Sequence, residues 1–417
     1  MKPRRHLLVA VHHQSWGRTE MAVRIAQDLQ AAGDEVRFLI HASEIPLLEK
    51  TGFKFEVVRD HIGGLARVLF DKHVSQVRPD SVIYCDFFNT SNYLLHLGIS
   101  DSEFLLGYDC PTVTLDVWDY QLTGHRIDLF GESTADLVHG DINQKISEFN
   151  RITHRLIPVP FAACDDRSGK FACLPKNSGI GSAKDWRDRL NIPADHQVVL
   201  FCTSRWQHVN GSENGTGRLC SFVPKVISYY IRRLGPAVHL VHVGPKSYEF
   251  QHVLGHRYHW LPPLARNDFK KLISSADLLL SPNMCATTIA TAIELNVPVI
   301  VLRNSRMVRT IDEAIEAAGG ELSDNVQTLI TESLPIYPFV LWPLGYYQFL
   351  SPLLTSNEYC EAFDSLELLQ ESSVIGRSEE LLNETPARQE MIARQVNYTQ
   401  QVGKLPTAAD VMNGFLQ

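Results

Sequence analysis

The sequence predicts an α/β protein of two consecutive domains, each built on a doubly wound parallel sheet. Three observations predict it. Residues 6–11 (His-Leu-Leu-Val-Ala-Val) form a short continuous apolar run, as a strand buried on both faces of a parallel sheet requires. A helical apolar period over 19–32 then ends at Gly33, and 36–40 is apolar again, so strand, helix and strand follow one another as a right-handed crossover. The same alternation restarts after residue 184, beyond a segment punctuated by Pro158, Pro160, Gly169, Pro175, Gly179 and Gly181. The length of 417 residues suits two domains that each bury a core.

Within the first domain, taken as 1–160, residues 54–58 read as a strand and 65–77 as a helix. Residues 79–85 form a strand ending at Asp86, an apolar-periodic stretch runs to Leu97, and 104–106 and 112–117 read as further strands. Residues 161–184 lack sustained periodicity and read as the linker. The second domain, 185–334, opens with a helix at 185–190 and a buried strand at 197–203. A helix over 223–234 follows, with Pro224 in its first turn where a missing N–H is harmless. Then come a strand at 237–243 ending in Gly244, a helix capped by Asn267, a strand at 277–281, a helix at 287–295 and a strand at 297–302. The tail, 335–417, begins with an aromatic- and proline-rich stretch at 335–354 and is expected to cross back over the cleft between the domains.

Composition narrows the function. The chain is 44% hydrophobic and 21% charged, with a net charge of −8 and a pI near 6.1, so it carries no electrostatic footprint for nucleic acid. The eight cysteines form no Cys-x-x-Cys pair, and several lie in apolar runs, as reduced thiols do. The apolar run behind Arg4-Arg5 is too short for a signal peptide, and no stretch approaches the roughly 18 apolar residues of a membrane span. A cytoplasmic protein without an integral membrane segment is the expectation. A homo-oligomer is compatible with all of this.

In open parallel sheets, ligands bind at the carboxyl ends of the strands, where the strand order reverses. The most informative segment there is Ser281 to Thr288: a strand ends, a loop carries Asn283, and a helix opens at Thr287-Thr288. Free N–H groups at a helix start, with two hydroxyls beside them, suit a diphosphate; plain threonine capping is the alternative. The glycine-rich 211–217 lacks the Gly-Lys-Ser/Thr ending of a phosphate-cradling loop, and no Gly-x-Gly-x-x-Gly follows the first strand. His239 and His242 point to opposite faces of a strand, and His252, His256 and His259 mix spacings without a carboxylate, so no metal site is expected.

The run Ala276-Asp277, Ser281-Pro282, Thr287-Thr288 and Glu294-Leu295-Asn296-Val297-Pro298 resembles the donor-binding segment of GT-B glycosyltransferases. The resemblance extends loosely over residues 6–302 and implies two Rossmann-like domains facing a cleft. It implies that Asn283, Thr287 and Thr288 hold a nucleoside diphosphate, with Glu294 on the ribose; the family's usual ribose carboxylate position, seven residues before the proline, is Thr291 here. By the same carry-over, Ser204 and Arg205 bind phosphate, Gly244 and Lys246 lie beside it, and Leu261 in the Trp260 turn reads the base. The first domain then holds the acceptor and the general base. Where many such enzymes open the first helix with Gly-His, this chain has Gly17-Arg18. His13 or Glu20 would substitute as base, Asp86 would orient the imidazole, and His12 would contact substrate. The implied reaction is sugar transfer from a nucleotide sugar, UDP-linked by expectation, to a small-molecule acceptor, with no metal and no cofactor. The rival readings are a nucleotide-sugar epimerase of the same shape and a catalytically silent module that stabilises a partner transferase.

Overall fold

The computed structural model describes residues 2–12, 16–49, 51–119, 147–165, 167–174, 184–203, 217–303, 308–320, 322–333, 350 and 352–416. The first sheet contains β1 (Arg5–Ala10), β2 (Glu35–His41), β3 (Lys54–Val58), β4 (Ser81–Tyr84), β5 (Thr112–Leu115), β6 (His154–Val159) and β7 (Lys170–Ala172). Their order is β3-β2-β1-β4-β5-β6-β7, all parallel. Helices α1 (Trp16–Ala31), α2 (Ala66–Val77) and α3 (Phe87–His96) cross over between them. β1 lies inside the sheet, between β2 and β4, and Leu7, Leu8, Val9, Ala10 and Val11 are each at most 1% exposed, as the apolar run requires. Burying one such Leu or Val side chain contributes about 1.5–3 kcal/mol.

The second sheet contains β8 (Gln197–Cys202), β9 (Val238–Val243), β10 (Tyr258–Leu261), β11 (Leu278–Ser281), β12 (Val299–Arg303) and β13 (Asp364–Glu367). It runs parallel in the order β10-β9-β8-β11-β12-β13. Its larger helices are α4 (Gly217–Arg233), α5 (Tyr248–Leu254), α6 (Arg266–Ser274), α7 (Thr287–Glu294), α8 (Ile311–Ala317), α9 (Asp324–Ser333) and α10 (Glu371–Leu382). Alternation along the strands splits the core in two. Val198, Leu200, Leu279, Val299 and Val301 face α6 and α7 and join the first domain's core in one cluster. Val199, Phe201, Leu278, Leu280 and Ile300 form a second cluster with α4 and α9.

Several expectations need correction. Residues 103–106 make a single 3-10 turn, closed by Leu105 N donating to Ser102 O, where a strand was expected over 104–106. That apolar run is too short for periodicity to separate strand from turn. The helix expected from 223 starts at Gly217, which puts Pro224 inside it; burial of Val226, Ile227, Tyr230 and Ile231 outweighs the lost backbone bond. The residue capping α6 is Ala265, with no side-chain bond, so Asn267 is not the cap.

The segment expected to be linker carries β7, the edge strand of the first sheet, in which Lys170 and Phe171 are buried. The tail also contributes to both domains. β13 extends the second sheet, α11 (Pro386–Val402) packs on α7, and α12 (Ala408–Phe415) packs on α1 and β7. There Ala172 N donates to Pro406 O at 2.9 Å and Arg4 Nη1 to Asn413 Oδ1 at 2.8 Å. Of the aromatic stretch 335–354, the described residues are Leu350 and 352–354; Leu350 and Leu353 are buried.

Candidate functional site

Each sheet reverses its order once: the first between β1 and β4, the second between β8 and β11. Both reversals open a crevice at the carboxyl ends of the strands.

In the second domain, β11 ends at Ser281, and the loop behind it is held by its own side chains. Ser281 Oγ donates to Asn283 O at 3.0 Å, and Cys285 N donates to Asn283 Oδ1 at 2.9 Å. α7 then starts with Ala286 as its N-cap and no side-chain cap bond. Thr287 and Thr288 are therefore the first two residues of the helix, and plain threonine capping is excluded for both. The helix start keeps backbone N–H groups without a side-chain acceptor, beside the positive end of the helix.

Beside this crevice, β9 ends at Gly244, whose φ of +146° is open to glycine. A Cβ there would press on Thr203 Oγ1 and stand 2.8 Å from Thr203 O. Gly244 O accepts the Trp260 indole N–H at 2.7 Å, and Gly244 N donates to Leu261 O at 3.4 Å. The exposed Lys246 places its Nζ 5.8 Å from the Trp260 ring centre. Gly244, Lys246 and Leu261 are thus brought together at one strand end. Ser204, Arg205 and residues 211–216 lie outside the described residues.

In the first domain, His12 follows β1 and is buried at 1% exposure, while His13 lies outside the described residues. Asp86, expected to orient an imidazole, is engaged otherwise. It accepts Arg18 Nε at 3.1 Å, Asn89 N at 3.0 Å and Asn89 Nδ2 at 2.8 Å, which also caps α3. The Arg18 guanidinium lies over the Trp118 ring, 4.7 Å from its centre. Sequence reasoning named Arg18 only as the residue standing in a histidine's place, and it missed Trp118, which sits in the crevice only because β5 pairs with β4.

Where α1 meets α6 and α7, a charged cluster joins the domains. Glu20 Oε2 stands 2.8 Å from Arg266 Nε, Arg24 Nη2 lies 3.1 Å from Asp28, and Lys270 Nζ lies 3.9 Å from Glu294 Oε2. A cavity of about 60 Å³ lies among Glu20, Arg24, Arg266, Lys270, Thr288 and Thr291. Burial raises the Glu20 carboxyl, against the pull of Arg266 and Lys270. Burial pushes Glu294 up to about 7, against Lys270, Arg24 and Arg266, and lowers Lys270. Neither Glu294 oxygen accepts a hydrogen bond among the described residues. Glu294 closes α7, roughly 10 Å along the axis from Thr287 at 1.5 Å per residue, so it lies at the domain boundary and away from the helix mouth. The sequence signal for Arg266 and Lys270 is only their spacing of one helical turn.

His196, His239 and His259 form a bonded row at the amino ends of β8, β9 and β10. His196 Nδ1 and His239 Nε2 are 2.8 Å apart, and His239 Nδ1 and His259 Nε2 are 2.9 Å apart. His242 contacts Thr203 Oγ1 at 2.9 Å and Tyr258 Oη at 3.0 Å.

A family of unknown function, DUF6365, matches residues 25–417. None of the curated proteins compared matches the chain. Among solved structures, the chain is similar to the spinosyn rhamnosyltransferase SpnG, with 15% identity, 99% of each chain covered and a TM-score of 0.54. It is similar to the spinosyn forosaminyltransferase SpnP at 14% identity, covering 99% of this chain and 98% of that one, with a TM-score of 0.53. SpnG has also been solved with thymidine diphosphate and with spinosyn aglycone, with TM-scores of 0.53 and 0.54. The likeness is one of fold: two parallel-sheet domains in the GT-B arrangement.

Proposed function

The chain belongs to the DUF6365 family, and we propose that it is a glycosyltransferase moving a sugar from a nucleoside-diphosphate donor to a small-molecule acceptor without a metal ion. The observation that carries this reading is the uncapped start of α7 at the strand reversal of the second sheet, with Thr287 and Thr288 beside it. That arrangement suits a diphosphate, whose charge the helix end favours both bound and as a leaving group. Asn283 shapes the loop, and the Gly244, Lys246, Trp260 and Leu261 strand end receives the nucleoside. Ser204 and Arg205 are proposed to add phosphate contacts. Solved proteins of this fold hold thymidine diphosphate and an aglycone, which supports a nucleotide-linked donor and an organic acceptor; uridine and thymidine are both open as the base. For a hydroxyl acceptor the base is proposed to be His13, because Glu20 is committed to Arg266.

A thermal-shift panel of nucleoside diphosphates and their sugars tests the reading. A ligand of the native state stabilises it by RT ln(1 + [L]/Kd), about 2.7 kcal/mol at a hundredfold excess over Kd. Stabilisation by UDP or dTDP, with sugar transfer requiring a second substrate, is expected. Turnover of the nucleotide sugar alone would point to an epimerase, and no stabilisation by any member would leave a silent partner module.

A further inference from the structure

We propose that the acceptor is an acid, bound through its carboxylate by Arg18, and that the product is a glycosyl ester. The inference rests on the glycosyl-transfer reading above and deepens it.

Arg18 stands at the strand reversal of the first sheet, in the first turn of α1, between the ends of β1 and β4. Its guanidinium is fixed from two sides. Asp86 accepts its Nε at 3.1 Å, and Trp118 lies under its plane with the ring centre 4.7 Å away. Asp86 is itself held by two bonds from Asn89, so the arrangement is braced by α3. The terminal nitrogens Nη1 and Nη2 hydrogen-bond nothing among the described residues, and the side chain keeps 12% of its surface exposed. A planar fork of N–H groups, pre-positioned and open at its end, matches the two oxygens of a carboxylate.

Position argues that the bound carboxylate belongs to the acceptor. Arg18 is on the first domain, opposite the loop that leads into α7. Burial raises the Cys285 thiol in that loop, and the Arg18 charge across the crevice works against it. The diphosphate has its own site at the α7 start, so an anion held on Arg18 faces the donor sugar from the other side.

Chemistry argues the same way. A guanidinium does not take up a proton, so Arg18 offers a hydroxyl acceptor no base. An acid is already ionised at neutral pH. One carboxylate oxygen attacks the anomeric carbon and forms the C–O ester bond. The bond from that carbon to the β-phosphate oxygen breaks, and its electron pair leaves with the nucleoside diphosphate. The single negative charge of the acid passes to the departing diphosphate, and no proton is moved.

The test titrates the full-length protein with matched acids and alcohols, such as benzoate with benzyl alcohol and cinnamate with cinnamyl alcohol. Binding is read from tryptophan fluorescence, with Trp118 lying under the guanidinium, and nucleoside diphosphate affinity is measured beside it. The acids are expected to bind and the alcohols not. Arg18→Gln and Arg18→Lys should each weaken acid binding by at least about tenfold, the loss of one charge-assisted hydrogen bond, with dTDP and UDP affinity unchanged. Arg18→Lys keeps the charge beside Asp86, so it separates loss of the fork from loss of folding. Equal behaviour of acids and alcohols, or acid binding that survives in Arg18→Gln, overturns the proposal. So does an equal loss of diphosphate affinity, which would assign Arg18 to the donor. A protein that binds acids through Arg18 but no nucleoside diphosphate would instead remove the transferase reading.

Discussion

Glu20 on α1 and Arg266 on α6 lie 2.8 Å apart and tie the first domain to the second. Both side chains are mostly buried, 27% and 19% exposed, and Lys270 and Arg24 add charge around them. A carboxylate that a sequence reader assigns to proton transfer is here part of the contact between domains.

Glu20→Gln is therefore expected to lower stability by about 1 kcal/mol, because both side chains keep some contact with water and the burial that raises the carboxyl offsets much of the attraction to Arg266. Urea denaturation measures it through the midpoint. A full-stability variant with turnover lost would return Glu20 to the role of base.

The Glu294 carboxyl gives a pH dependence of definite sign. Burial raises it from an ordinary 4.5 to about 7, so the folded state holds the proton where the unfolded chain has released it. Its contribution is full below pH 4.5 and is lost as pH rises through 7, on the order of 3 kcal/mol. Unfolding free energies of wild type and Glu294→Gln at pH 5 and pH 7.5 check this. The decline should be shallower in the variant, and parallel curves would exclude Glu294 as its source.

Thr287→Ala distinguishes a ligand contact from a structural one, because Ala286 already occupies the cap position. Stability should stay within about 0.5 kcal/mol of wild type. Calorimetry should show nucleoside diphosphate binding weakened by about tenfold, with the bare nucleoside unaffected. Equal losses for both ligands would take Thr287 away from the phosphates.

Gly244→Ala is expected to destabilise the protein by about 1–3 kcal/mol, since φ of +146° and the closeness of Thr203 both oppose a Cβ. The Trp260 bond to Gly244 O should loosen with it, and nucleoside binding should fall along with the melting temperature. A variant that melts with wild type would show that the strand end relaxes freely.

Much of the fold was legible because buried parallel strands must be apolar along their whole length. Residues 6–11 and 197–203 announced β1 and β8 by that rule, and the start of α7 after β11, where a diphosphate is proposed to bind, was legible as a helix opening behind a strand. Short elements were not legible. The three residues of β7 and the turn at Glu103–Leu106 carry too little period to identify, and β13 reads as a polar stretch until it is seen pairing with β12.

By itself, the sequence determined the two-domain α/β class, most of the central strands and helices, and the Thr287-Thr288 helix start, because local apolar period and backbone geometry depend on neighbours in the chain. Only the tertiary structure decided what the charged groups do. Glu20 found Arg266 across 246 positions of chain, and Arg18 found Asp86 and Trp118 across 68 and 100. A carboxylate or guanidinium takes its role from the charge it meets at about 3 Å and from how much water is left around it, and both are set by packing between elements far apart in sequence.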